Sequence, residues 1–433
     1  MRYFVILFFS FCSELSLADS LSEDLTQSRP LKEWILETNF INLNIQEFEY
    51  SQASTLIATD RNGEILYAAN RFSNTITKLV YSGNLLKKVK QIQIPSKNSG
   101  SESEITQIYD LHYSEGRDNN LLYISVGFTD LNYPNSKIIT LYEINEDLNT
   151  IKPIFSTDLC SLHSIAVSDG RITTNKDYIY MAMGNCAESL EDFKLIKTAR
   201  ILNRDLGQII RIEKKSKDVK NISIGHRRPQ GLLWDYYRNK LWETEQGPRG
   251  GDELNDIKEG KNYGWPYVTL GRWYDMKEKK SSLNNSNAIK YNNHQNYEMP
   301  TFSWTPSIGV SQINLVKNSS NFSEWDNDII VSSLKDNSIH RLKISPLGNV
   351  IYDERIFIGK RIRDLESASD IFFISTDDGK IITIKRSFTI SENPFPPLKI
   401  DTKQIELEKS KEKIKRLKKH LNNFYNKVTN FFI

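Results

Sequence analysis

EILYAAN at 64–70, LLYISVG at 121–127 and YIYMAMG at 178–184 repeat one pattern, a short apolar strand that leaves on Gly or Asn. The pattern returns as KLWETEQG at 240–247, DIIVSSLKDNS at 328–338 and DIFFISTDDG at 370–379. Five of the six have a partner in which polar and apolar residues alternate, as half-buried strands do: TITKLVY, KIITLYEI, GQIIRIE, SIHRLKI and GKIITIK. KLWETEQG has no obvious partner of this kind and runs instead into NYGWPYV. Six strand pairs along one chain specify an all-β protein. They fit either hairpins of a sandwich or small sheets packed radially around an axis, and the repetition favours a six-bladed β-propeller.

Working outward, the propeller is expected to span 19–388, with an insertion from about Gly271 to Pro300 that is polar and Asn-rich and so belongs on the surface. The first 18 residues combine a basic start, an apolar run from Tyr3 to Cys12 and small residues at Ser16 and Ala18, the pattern of a cleaved secretory signal. The run is shorter than the ~20 residues that a membrane-spanning helix needs. A secreted or periplasmic protein is therefore expected. Removal of Cys12 would leave Cys160 and Cys186, either as a disulfide or as two small buried thiols.

Residues 389–401 read as a Pro-containing linker, and 402–433 as a basic helical tail. In that tail Leu407, Ile414, Leu421 and Val428 recur every seven residues, a seam for self-association or a partner helix. Its Lys-rich flanks and Phe431–Phe432 equally suit an anionic membrane surface. The chain carries a net charge of +3, and the tail is more basic than the whole, so the body is mildly acidic. Such a body gives no support for nucleic-acid binding.

Chemistry concentrates in GHRRPQGLLWD (225–235) and LWETEQGPRGGDELNDIKEGKNYGWPYV (241–268). Glycines at this density let backbone carbonyls and amides approach a ligand closely. Arg227, Arg228 and Arg249 offer planar forks to carboxylates, and the Asp252–Glu253 pair suits a hard cation or the cap of a turn. The residues alone point to an anionic ligand with a metal nearby.

These stretches closely resemble the signature of the soluble aldose sugar dehydrogenases, the glucose/sorbosone dehydrogenase family. Its members are six-bladed propellers that use pyrroloquinoline quinone (PQQ) and Ca²⁺. The resemblance implies a sugar substrate, an external electron acceptor, and a cofactor site made by Arg227, Arg228, Gln230, Tyr274, Lys335, Arg361 and Arg363. Arg361 and Arg363 alternate so as to share one face of a strand. A further glutamine contact falls near 104–107. The resemblance also implies carbonyls of Gly247 and Pro248 at the ion touching PQQ, Glu253 with the Tyr263 carbonyl at a structural ion, and Trp304 stacking on the sugar or the quinone.

Three positions depart from the family pattern. Val167 stands where the catalytic His belongs, leaving His163 as the nearest candidate base; Arg228 replaces an Asn, and Gln246 replaces a His. Loss of a positioned base costs roughly 10²–10⁴-fold in rate. A ligand-binding propeller without turnover is thus the alternative, and a calcium-dependent lactonase-type hydrolase a third reading.

Overall fold

The computed structural model describes residues 33–37 and 42–387, apart from 52, 96–102, 117–118, 131–132, 158–159, 162–169, 185–206, 266–267, 272–294 and 318. Strands form six sheets of four or five strands each. The innermost strands are Thr55–Thr59, Ser103–Ser114, Gly170–Thr174, Pro229–Asp235, Val310–Leu315 and Ile362–Ala368. Each packs on the next, and the last packs on the first, so the ring is closed and the fold is a six-bladed propeller. Each of the six apolar strands quoted above supplies the second strand of a blade.

The blades adhere through apolar faces that the alternating pattern creates. Leu56 and Tyr67 of the first blade pack with Ile108 and Phe128 of the second. Val316 and Trp325 of the fifth pack with Phe372 and Ile374 of the sixth. Each such side chain, once buried, contributes about 1.5–3 kcal/mol. The ring is closed by a strand from the start of the chain: Asn42–Glu49 pairs antiparallel with Lys380–Arg386, from Leu43↔Arg386 to Glu49↔Lys380. The short strand Glu33–Glu37 adds to its outside.

Two expectations are corrected here. KLWETEQG does have a partner: Lys240–Glu245 pairs with Asp252–Ile257 across the glycine-rich turn. Its two apolar residues, Leu254 and Ile257, are three apart and do not alternate with polar ones, which hid the strand. Lys261–Asn262 instead joins the third blade, pairing parallel with Val219–Ile224. The second correction concerns Trp304. Its side chain is buried among Leu233, Trp242, Leu254 and Val331, and its indole nitrogen donates to Asp353 Oδ2 at 3.1 Å. That places it in the core between the fourth and fifth blades, where it cannot stack on a ligand.

Midway along the axis, the Arg171 guanidinium bridges Asp110 at 2.9 Å and Asp364 at 3.3 Å, all three buried. Asp110 also accepts from the Ile172 amide and Asp364 from the Ile57 amide, so inner strands of four blades meet in this layer. The carboxylates interrupt the apolar strands here because the barrel axis holds no apolar partner for them; they find Arg171 instead. The signal leader, linker, Lys-rich tail, His163, Val167, Tyr274 and Cys186 lie outside the described residues. Among the described residues no helix is long and apolar enough to cross a membrane.

Candidate functional site

All six inner strands run in the same sense along the axis, so their starts share one mouth and their ends the other. The starts gather the loops around 225–228, 246–251, 305–309, 334–337 and 358–361. The described cofactor-site candidates lie along these loops, joined by an arc of contacts. Arg227 is buried, donates from its guanidinium to the Gln246 carbonyl at 2.9 Å, and lies 5.1 Å from the Trp265 ring. Gln246 in turn donates to the Val310 carbonyl, and the Gly309 α-carbon abuts Lys335. Arg361 donates to the Leu334 carbonyl at 3.2 Å, and Ser311 to the Arg363 carbonyl at 2.5 Å. Gln230 is buried behind Arg228, donating to the Pro229 carbonyl at 3.2 Å. The structure therefore puts Arg227, Arg228, Gln230, Lys335, Arg361 and Arg363 on one mouth, across the fourth, fifth and sixth blades. Gln107, at the same end of the second blade, faces Arg71.

Arg361 and Arg363 do converge, and what they hold is a carboxylate of this chain. Both donate to Asp377, at 3.0 and 2.8 Å, and Ser54 donates to it from the first blade at 2.8 Å. Burial pushes the Asp377 carboxyl up, but Arg363, Ser54 and Arg361 outweigh it and hold it below the usual range.

Beside Arg227 lies a buried acidic cluster. Glu245 faces Glu253 across the strand pair, and Glu243 faces Asn255, so four oxygen-bearing side chains share one face. Like charges opposite one another in a sheet repel. His226, Glu243 and Glu245 present atoms all within 4.8 Å of one another. Burial first, then the neighbouring Glu245, pushes the Glu253 carboxyl well above the ordinary range, and the two carboxyls hydrogen-bond each other. The Asn255 amide oxygen is buried with no hydrogen-bond partner among the described residues. An oxygen-rich, charge-crowded set of this kind fits a Ca²⁺ ion.

Tyr263 is at the cluster's edge, its ring stacked on His226 at 4.8 Å and its hydroxyl donating to the Asp256 carbonyl at 2.5 Å. Asp252 departs from the acidic-pair reading. Its carboxylate accepts from the amides of Gly309 at 2.6 Å, Val310 at 3.0 Å and Gly247 at 3.3 Å, which ties the turn to the fifth blade. The turn itself is crowded: a Cβ on Gly247 would stand 2.4 Å from the Gly251 carbonyl oxygen and 2.5 Å from that of Gly250. Pro248 closes it against the Gly271 α-carbon.

Sequence reasoning missed Glu243, Glu245, Asn255 and His226 as members of the cluster. The signal was present as E-x-E in LWETEQ and E-x-N in DELND, two-residue spacings that put each pair on one face of its strand. Without DELNDI recognised as the partner strand, the two pairs could not be brought together.

The closed propeller thus brings a cationic arc and a buried carboxylate cluster to one axial mouth. The model of the family described as Glucose / Sorbosone dehydrogenase matches residues 54–383, and the chain belongs to that family. It is 29% identical over 283 residues to aldose sugar dehydrogenase YliI of Escherichia coli, covering 62% of this chain and 70% of that one. Against quinoprotein glucose dehydrogenase B of Acinetobacter calcoaceticus it is 25% identical over 365 residues, covering 66% and 75%. A match at 35% identity to the uncharacterized protein slr1608 of Synechocystis spans 148 residues, about a third (34%) of each chain. The fold is also that of the soluble aldose sugar dehydrogenase of E. coli in its apo-form (TM-score 0.61, 22% identity, 80% of this chain and 99% of that one).

Proposed function

We propose that the protein is an exported quinoprotein that oxidises an aldose or a related sugar alcohol group, using PQQ and Ca²⁺ at the mouth lined by Arg227. The observation that carries this reading is the cationic arc from Arg227 to Arg363 beside the carboxylate cluster. An electron-accepting dianionic or more highly charged ligand with a divalent ion answers both. Family membership and the sugar dehydrogenase relatives support it.

When bound, the quinone supplies the two-electron acceptor and calcium polarises it. Arg227, Arg228, Lys335, Arg361 and Arg363 would neutralise the cofactor's carboxylates, Gln230 would offer an amide, and Tyr274 would contribute from the long loop. Glu253 with the Tyr263 carbonyl would hold a structural ion, to which Glu243, Glu245 and Asn255 would add oxygens. Carbonyls of Gly247 and Pro248 would hold the second ion. Burial of Arg227 against Trp265 keeps it rigid and partly dry, which strengthens its attraction for an anion. The sugar hydroxyl must lose its proton as the C–H bond breaks, a task assigned to His163. An external electron acceptor completes turnover.

Two observations favour a second reading, ligand binding without turnover. Val167 occupies the usual position of the base, and Asp377 already satisfies Arg361 and Arg363. Titration with PQQ plus Ca²⁺, followed by quinone absorbance and then by dye reduction across a panel of aldoses, separates the two. Binding with turnover is the expected outcome, abolished or unchanged by His163→Ala according to whether that residue is the base. Binding without turnover selects the second reading, and failure to bind PQQ overturns the first.

A further inference from the structure

A cavity of about 1090 Å³ lies at the mouth opposite the arginine arc. It is lined by the terminal halves of all six inner strands, and the buried Arg171–Asp110–Asp364 layer lies between it and the other mouth. Five cationic side chains line it: Arg61, Lys176, Lys214, Lys215 and Lys317. None of them has a carboxylate within 4 Å among the described residues, whereas Lys217 and Lys220 nearby are both paired. Three carboxyls also line it, Glu115, Asp177 and Glu366, fewer than the cations. Glu366 accepts from Asn314 at 3.1 Å, and burial, reinforced by Asp364 and Asp110, pushes its carboxyl well above the ordinary range. Glu115 and Asp177 are exposed at the rim.

The positive groups crowd one another. His112 bonds Thr174 at 3.2 Å, and burial together with Lys214 and Lys317 depresses it to about 3. Lys214 donates to Ser114 at 3.2 Å and is lowered by burial, as is Lys317. Lys214 is half-buried and the other four cations reach solvent at the opening, so an anion entering the cavity meets several positive charges at once.

Its apolar lining is aromatic. Tyr236 and Tyr237 stand 57% exposed at the rim, and the Lys317 ammonium is 5.2 Å from the Tyr236 ring centre. Asn119 adds an amide group to the lining, while the amides of Asn175, Asn314 and Asn327 are held by Tyr180, Glu366 and Asp326. Exposed aromatic faces beside these cations match a sugar-like ring that bears one acidic group.

We propose that this second mouth is a binding site for an anionic carbohydrate, a sugar acid or a sugar phosphate, with Lys214 and Lys317 on the acidic group and Tyr236 under the ring. The site stands apart from the redox reading and shares no residue with it. Calorimetric titration of the full chain with gluconate, glucose-6-phosphate, glucose and inorganic phosphate tests it. The two sugar anions are expected to bind one-to-one, about tenfold or more tighter than either glucose or inorganic phosphate.

Lys214→Met with Lys317→Met should weaken both sugar anions by about 10–100-fold, since hydrogen bonds to charged groups are of that size. Tyr236→Ala, a change at the exposed rim, should weaken the sugar anions and leave inorganic phosphate unaffected. PQQ titration of the same variants should match that of the parent, which also shows that they are folded. Three outcomes overturn the proposal: no binding of either sugar anion at millimolar concentration, unchanged affinity in the lysine variant, or inorganic phosphate binding as tightly as the sugar anions. The sugar acid and the sugar phosphate are separated by their relative affinities.

Discussion

At the scale of single residues, the arginines are decided by what already holds them. Arg361 and Arg363 share Asp377, so a ligand carboxylate must compete with a carboxylate in place. Asp377→Asn should therefore tighten PQQ by roughly tenfold, the effect of removing one opposing charge; an absorbance titration showing weaker binding would mean that Asp377 orients the arginines instead. Arg171 offers the stronger stability test. Arg171→Met strands two buried carboxyls and is expected to cost about 3–5 kcal/mol in chemical denaturation. Asp110 adds a pH signature. Burial, opposed by Arg171, pushes its carboxyl from 3.8 up to about 7. With the folded value raised, its contribution to stability is complete below the unfolded value and is lost as pH rises through about 7. Asp110→Asn should thus flatten the melting-temperature profile between about pH 4 and 8; an unchanged slope would sink this assignment. Arg227, Lys335 and Arg361 were legible as candidate anion ligands from residue type and resemblance. Their contacts with Gln246, Gly309 and Asp377 were not, because each pair meets only once the first two strands of its blade lie side by side.

At the scale of elements, the turns that join strands do the positioning. The hairpin from Lys240–Glu245 to Asp252–Ile257 carries four members of the carboxylate cluster because its register sets Glu245 against Glu253 and Glu243 against Asn255. Chelation should lower the melting temperature, and Ca²⁺ should restore it by about 2.7 kcal/mol of stability at a hundredfold excess over its dissociation constant. Glu243→Gln should reduce that gain; a melting temperature indifferent to Ca²⁺ would remove the cation from the cluster. The turn after Asp235 works between blades. The buried Arg238 pairs with Asp235 at 2.8 Å and donates to carbonyls of Asn327, Ile344 and Ser345 in the fifth blade. Arg238→Met leaves an unpaired buried carboxylate and three carbonyls, at an expected cost of about 3–5 kcal/mol by denaturant titration. The strand pattern alone revealed the apolar strands here, and nothing local in DYYRNK revealed the clamp.

For the whole molecule, closure governs stability. Asn42–Glu49 completes the sixth blade, so deletion of residues 33–49 leaves Lys380–Arg386 with an open edge and Leu43, Ile45 and Phe48 missing from the core. Such a chain should melt broadly or aggregate, whereas the full chain should unfold in one cooperative transition; a sharp, unshifted melt of the truncated chain would show that the ring does not depend on that strand. Closure also makes the two mouths distinct, one with the arginine arc and the other with the unpaired lysines. The sequence by itself determined the all-β class, the six-fold repetition and the glycine-rich anion motif, because alternation and glycine content act over a few residues. Only the tertiary structure decided that Trp304 belongs to the core, that Asp377 fills the arginine pair, and that Asp110, Arg171 and Asp364 meet on the axis. Those outcomes depend on which strands a closed ring brings face to face, and electrostatic and packing energies act between neighbours in space wherever they lie along the chain.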